Sequence, residues 1–179
     1  MKLRRLLVPL DGRQVSEAAL PPALELAKGS GGRIYLLRVL ETPTPTADGL
    51  VQHRAASQKA EQYLAEMRQR AAREGALKVS TAVWAGAPAA AIAKAATLIR
   101  ADMIVMATGG RTGPPRRMVG SVVKRVLRGT RCPVLVIRPS DAAVDTSLGD
   151  AVPLPGRPEG PPRASAGPRR AAPRRRVAL

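Results

Sequence analysis

The sequence predicts an α/β fold: a five-stranded open parallel sheet in the order 3-2-1-4-5, with helices on both faces. Three observations carry this. Short apolar runs alternate with helical patterns as β-α-β-α-β-α-β-α-β, and no two strand signals are adjacent; strands separated in this way need crossover helices, which make the sheet parallel. Arg4–Leu10 and Asp102–Ala107 are apolar nearly throughout, as strands buried on both faces are. A Gly-rich loop joins the second of these runs to an amphipathic pattern at Val122, Val123, Val126 and Leu127. Right-handed crossovers make 3-2-1-4-5 the simplest order.

The elements follow in turn. Arg4–Leu10 is a central strand, with Pro9 placed where ladder pairing finishes, and Asp11-Gly12 makes the turn out. Val15–Lys28 reads as one helix, with Ala18, Ala19, Leu20, Leu24, Leu26 and Ala27 inward. Pro21 and Pro22 must kink it or restart it, and Gly29–Gly32 ends it. Arg33–Val39 is the second strand, and Glu41–Gly49 a loop with Pro43 and Pro45. Val51–Glu74 is a long helix with Ala55, Ala56, Tyr63, Leu64, Met67 and Ala71 as inner residues. Lys78–Trp84 alternates like a half-exposed edge strand. An Ala-rich helix then runs to about Arg100, with Pro88 in its first turn. Asp102–Ala107 is the fourth strand, Ser121–Arg128 a helix ended by Gly129, and Cys132–Arg138 the fifth strand.

Composition narrows the class. The chain has 179 residues, enough for one domain with a sizeable core. Hydrophobic residues make up 45% but aromatic ones only 2%, with no Phe, so the core is built from Val, Leu, Ile, Ala and Met. No apolar run is long enough to cross a bilayer, and the charged start, Lys2, Arg4 and Arg5, is not that of a signal peptide. Cys132 is the single cysteine, which excludes an intramolecular disulfide and a Cys-based metal cage. These features point to the cytoplasm. After Pro139 the composition turns to Pro, Gly, Ala and Arg without apolar periodicity. Residues 140–179 therefore read as a disordered basic tail behind a folded domain at 1–139. Seven Arg against four acids give the tail +3 of the chain's +17. That basic balance suits a polyanion such as nucleic acid, but a genome biased toward Arg, Ala, Gly and Pro would also produce it.

The loop that follows the fourth strand carries the chemistry. It reads M-A-T-G-G-R-T-G-P-P-R-R-M-V-G-S-V from Met106 to Val122. Glycines let a backbone approach an anion, and free N–H groups at a helix start favour negative charge. Arg111, Arg116 and Arg117 add cations, and Ser121 a hydroxyl. Neither G-x-x-x-x-G-K-[ST] nor G-x-G-x-x-G after the first strand is present. On residues alone the glycines either make only a turn or hold a phosphate. In open parallel sheets ligands sit at strand carboxyl ends where the winding reverses, here between strands one and four. Asp11 ends strand one and faces that loop. Asp11 serves a ligand or caps the first turn; Val39 serves a ligand or is plain core.

From Lys2 to Pro139 the chain resembles the universal stress protein family. The resemblance rests on L-L-V-P-L-D-G at Leu6–Gly12, L-L-R-V at Leu36–Val39, G-A-P-A-A-A-I at Gly86–Ile92, and A-D-M-I-V-M-A-T-G-G-R-T-G…V-G-S-V…C-P-V-L-V-I-R-P from Ala101 to Pro139. The ATP-binding branch has the motif G-x2-G-x9-G-[ST]. Gly110, Gly120 and Ser121 match it, Ala107 stands at its first glycine, Gly109 where His is frequent, and Arg13 where Ser often follows Asp-Gly. The resemblance implies a Rossmann-like sheet of the adenine nucleotide alpha hydrolase kind. It implies ATP, or AMP or ADP, as ligand, with Asp11 and Val39 at adenine or ribose and Gly110, Gly120 and Ser121 at the phosphates. The expected contact set is Pro9, Leu10, Asp11, Val39, Met106, Ala107, Gly109, Gly110, Arg111, Gly120, Ser121 and Val122.

No nucleophile–base pair is evident, and His53 is the single histidine, without a partner signal. No carboxylate pair flanks the loop to grip Mg²⁺, which leaves its presence beside a bound triphosphate open. The expected activity is nucleotide binding as a switch, with slow ATP hydrolysis at most. The last strand, Pro133-Val134-Leu135-Val136-Ile137, offers an open apolar edge, and the resemblance implies a homodimer through it. The alternative is a nucleotide-free dimeric scaffold that binds protein or nucleic acid through its basic surface and tail.

Overall fold

The computed structural model describes residues 3–43, 45–76, 78–108 and 120–139. The expected tail at 140–179 lies outside them, as do Gly109, Gly110, Arg111, Arg116 and Arg117. In chain order the elements are β1 (Arg5–Pro9), α1 (Gln14–Glu17), α2 (Leu20–Ser30), β2 (Arg33–Leu40), α3 (Ala47–Arg73), β3 (Val79–Ala85), α4 (Pro88–Leu98), β4 (Met103–Ala107), α5 (Ser121–Gly129) and β5 (Val134–Ile137). The five strands form one sheet in the order β3-β2-β1-β4-β5, and every pairing is parallel.

Alternation along the strands divides the core between the two faces. Leu6 and Val8 of β1, Ile34 and Leu36 of β2, and Val105 of β4 pack with Leu20 and Leu24 of α2 and Leu64 of α3. Leu7, Leu37, Ile104 and Met106 point the other way and meet Ile92, Ala95 and Ala96 of α4 and Val123 and Val126 of α5. Both β1 and β4 have three consecutive buried residues, as central strands in a covered sheet should. β3 is half exposed, as an edge strand.

Several expectations are corrected. The single helix at Val15–Lys28 is two helices, because Pro21 and Pro22 supply no N–H; they sit in the first turn of α2, where none is needed. Ala23, absent from the expected inner set, is fully buried there. The loop at Glu41–Gly49 gives way earlier to α3: Thr46 caps it, its side chain accepting from the Gly49 N–H at 3.1 Å. Ala55 and Ala56 are exposed rather than inward. Ala60, Leu64 and Ala71 are the buried residues of α3, so burial begins only in its later turns. The fifth strand spans Val134–Ile137, shorter than Cys132–Arg138.

Candidate functional site

The crossovers from β1 and β4 leave toward opposite faces, so a crevice opens between the carboxyl ends of these neighbours. It is a cavity of about 390 Å³, within the size range of small-ligand sites. Of the twelve expected contact residues it brings nine together: Pro9, Leu10 and Asp11 from β1 and its exit, Val39 from β2, Met106 and Ala107 from β4, and Gly120, Ser121 and Val122 at the start of α5. Gly109, Gly110 and Arg111 lie outside the described residues.

The floor is apolar. Leu37, Ile92, Met106 and Val123 are buried core residues that also line the cavity, and the half-buried Val39 does both. The two readings of Val39 are therefore not exclusive. Leu37 belongs to the same strand end as Val39. Pro88 and Ile92 come from the first turns of α4. The signal for them was topological: helices that follow parallel strands begin at the carboxyl edge, so the first turn of α4 had to lie near the crevice.

One wall carries charge. Gly12 turns the chain at φ 77°, and a Cβ there would lie 3.1 Å from Arg38 Nη1, so only glycine fits this turn without strain. The Ser16 hydroxyl donates to Arg13 O at 2.8 Å and accepts from the Asp11 N–H at 3.1 Å. The Asp11 carboxylate accepts from the Arg13 N–H at 3.0 Å and Arg13 Nε at 2.7 Å, with Arg13 Nη2 also on Oδ2. Asp11 is thus both a turn-former and a cavity-lining acid. Burial pushes its pKa up, but the hydrogen bonds from Arg13 and Ser16 and the Arg13 charge outweigh that and hold it below 3.8. Arg13, absent from the expected contact set, lines the cavity beside it.

The opposite wall is the amino terminus of α5. Gly120 is its N-cap at φ −53° and ψ 152°, without a side-chain cap. The N–H groups of Ser121, Val122 and Val123 precede the first intrahelical bond, from the Lys124 N–H to Gly120 O at 3.0 Å, and point outward as anion donors. Ala107 ends β4 and is not among the residues at positive φ, and its methyl packs against the core on the α2 side of the sheet. Thr108 is spoken for: its N–H donates to Ile137 O at 2.8 Å, which ties the end of β4 to β5. A flat apolar seat, one ionised acceptor and a helix start holding donors suit a purine nucleoside with an anionic tail. Among the described residues no group of three or more His, Cys, Asp or Glu could hold a metal ion. Among the described residues that line the crevice, Asp11 is the one carboxylate.

Residues 2–138 match the family model described as the Universal stress protein family. A universal stress protein of Methanocaldococcus jannaschii is 30% identical over 141 residues, covering 75% of this chain and 82% of the relative. Among solved structures, the universal stress protein UspA from Lactobacillus plantarum superimposes with a TM-score of 0.68 at 26% identity, over 77% of this chain and 99% of that one. A universal stress protein family protein from Arabidopsis thaliana, solved with AMP bound, shares the fold with a TM-score of 0.58 at 18% identity, over 77% and 93% of the two chains.

Proposed function

The chain belongs to the universal stress protein family, and from that premise we propose that it is an adenine-nucleotide-binding module of the stress response, acting as a dimeric switch with little or no catalysis. The observation that carries this is the crevice between β1 and β4, where an apolar seat, the Asp11 carboxylate and the bare start of α5 converge. Adenine lies against Val39, Leu37 and Ile92, the ribose or an amine donates to Asp11, and the phosphates meet the N–H groups of Ser121 and Val122; the family motif assigns Gly110 to the phosphates as well. The AMP carried by the Arabidopsis relative is consistent with this choice of ligand. With a single carboxylate in the lining, Mg²⁺ would be held chiefly by the phosphates of ATP rather than by the protein.

The chain acts as a cytoplasmic homodimer, paired through the open edge of β5. All four residues of that strand are only half buried in one copy, and an apolar edge with free N–H and C=O groups favours pairing. A mass measurement that shows a monomer across micromolar concentrations would remove the dimer.

The test of the nucleotide is mass spectrometry of the purified protein for carried-over adenine nucleotide, repeated on Gly120→Val. The backbone at Gly120 lies in an ordinary region for any residue, so the variant folds, at a capping cost of about 1 kcal/mol, while its side chain fills the anion cradle. Wild type should carry AMP, ADP or ATP and the variant none. A folded variant that keeps its nucleotide would refute the site. The competing reading, a nucleotide-free scaffold, draws on the Arg13 contacts that already occupy Asp11; it predicts no nucleotide in either protein.

A further inference from the structure

The opposite end of the sheet holds a second cavity, of about 520 Å³, at the amino ends of β1, β2 and β3. Among the described residues four cations line it, Arg4, Arg5, Arg33 and Lys78, together with Tyr35, and no carboxylate does. The parallel register sets three of them in a row. Arg5 pairs with Arg33 across β1 and β2. Lys78 immediately precedes Val79, the partner of Ile34, and its carbonyl accepts from the Ile34 N–H at 2.9 Å. Neighbouring strands lie about 4.8 Å apart, so the row spans roughly 10 Å. Arg5 alternates onto the same face as Leu7, and Arg33 onto the face of Tyr35 and Leu37, so both guanidinium groups stand on one side of the sheet.

Like charges in register repel, and no ion pair among the described residues offsets the four; the nearby Asp102 carboxylate balances at most one of them. The nearby Asp102 spends its Oδ2 on the N–H groups of Arg4 and Arg5, at 2.8 Å each. Arg5 Nε is buried without a hydrogen-bond partner, an unfavourable state for a charged donor. The carboxyl end of α2, at Ser30 and Gly31, borders the cavity, but a helix terminus offers only about half a negative charge. Guanidinium groups match phosphate oxygens in pairs, and a row of cations fits several linked phosphates better than one. We infer that this cavity binds a compact oligophosphate, at a site separate from the crevice between β1 and β4.

The test is calorimetric titration of the full chain with inorganic tripolyphosphate in metal-free buffer, with and without saturating AMP. The Arg33→Gln/Lys78→Gln double variant is compared with Arg54→Gln/Arg68→Gln, which removes the same charge from exposed positions of α3. Wild type and the α3 variant should bind alike, AMP should not compete, and the Arg33/Lys78 variant should bind roughly tenfold more weakly. If the Arg33/Lys78 variant does not fold, Arg4→Gln at an exposed position should weaken binding about threefold. Equal losses in both double variants would reduce the effect to net charge and overturn the site. Displacement by AMP would move the anion to the other crevice and overturn it as well. So would a single-stranded oligodeoxynucleotide that competes at lower concentration than tripolyphosphate, because the row would then follow a nucleic-acid backbone. The comparison of variants stands whether or not AMP binds.

Discussion

Arg100→Gly should stabilise the protein. Three helices end in the same way. After α2 the N–H groups of Gly31 and Gly32 donate to Lys28 O and Ala27 O; after α3 those of Gly75 and Ala76 donate to Ala72 O and Ala71 O; after α4 those of Arg100 and Ala101 donate to Thr97 O and Ala96 O at 3.1 and 2.8 Å. This closing pattern needs a left-handed residue just past the helix. Glycine supplies it twice, at φ 64° for Gly31 and 90° for Gly75, but at the third end Arg100 is held at φ 49°. A side chain in that region costs about 1–2 kcal/mol, of which the greater freedom of an unfolded glycine returns about 0.5–1 kcal/mol. The net gain is roughly 0.5–1 kcal/mol, or about 1–4 °C in Tm for a chain of this size. Arg100 is exposed, so little packing is lost. Urea and thermal unfolding of Arg100→Gly, beside Gly31→Ala and Gly75→Ala, measures it; the two reverse changes should each cost about 1 kcal/mol. If Arg100→Gly melts no higher than wild type while the alanine variants also melt unchanged, the left-handed closure does not govern these helix ends.

Other expectations are as concrete. Gly32→Ala should destabilise by about 1–3 kcal/mol in urea titration, because a Cβ there would sit 2.6 Å from Leu3 O and β1 must move; an unchanged midpoint would show that the start of β1 yields freely. Tyr63→Phe should cost about 1 kcal/mol in the same assay. Its hydroxyl donates to Glu17 at 3.1 Å and Arg70 donates to the other carboxylate oxygen at 3.4 Å. Burial, then the Glu17 charge and hydrogen bond, push the phenol pKa up, so it remains a neutral donor through the working pH range. For Asp11 the folded pKa is depressed, so the pair with Arg13 contributes stability above the ordinary value of 3.8 and loses it as pH falls through the lower folded value. Because the side chains are 44% and 74% exposed, the difference between wild type and Asp11→Asn should be about 0.5 kcal/mol or less at pH 7 and vanish in strong acid. A difference independent of pH would rule out the ion pair as its source.

Much of the fold was legible because buried parallel strands need near-continuous apolar runs, and Leu6–Val8 and Ile104–Met106 have them without ambiguity. The crossover helices between them left one simple strand order. Pro21 and Pro22 marked the break between α1 and α2, although their spacing alone did not choose between a kink and a restart. Ala55 and Ala56 were misjudged because alanine is compatible with either side of a helix; burial in α3 depends on where the helix passes over the sheet. The crevice was legible through its acid, its glycines and the reversal of winding. Pro88 and Ile92 were missed as its lining because the Ala-rich start of α4 carries no chemical signal.

Local chemistry thus determined which segments are strands and helices, and strand order placed Asp11 near the start of α5. Tertiary structure decided what each charge faces. Arg13 folds back on Asp11 because Gly12 turns at positive φ and Ser16 ties that turn together. Arg5, Arg33 and Lys78 form a row because parallel register aligns the beginnings of three strands distant in sequence. Apolar patterning is a property of each segment and can be read in one dimension. Electrostatic neighbourhood is a property of pairs brought together only by the sheet.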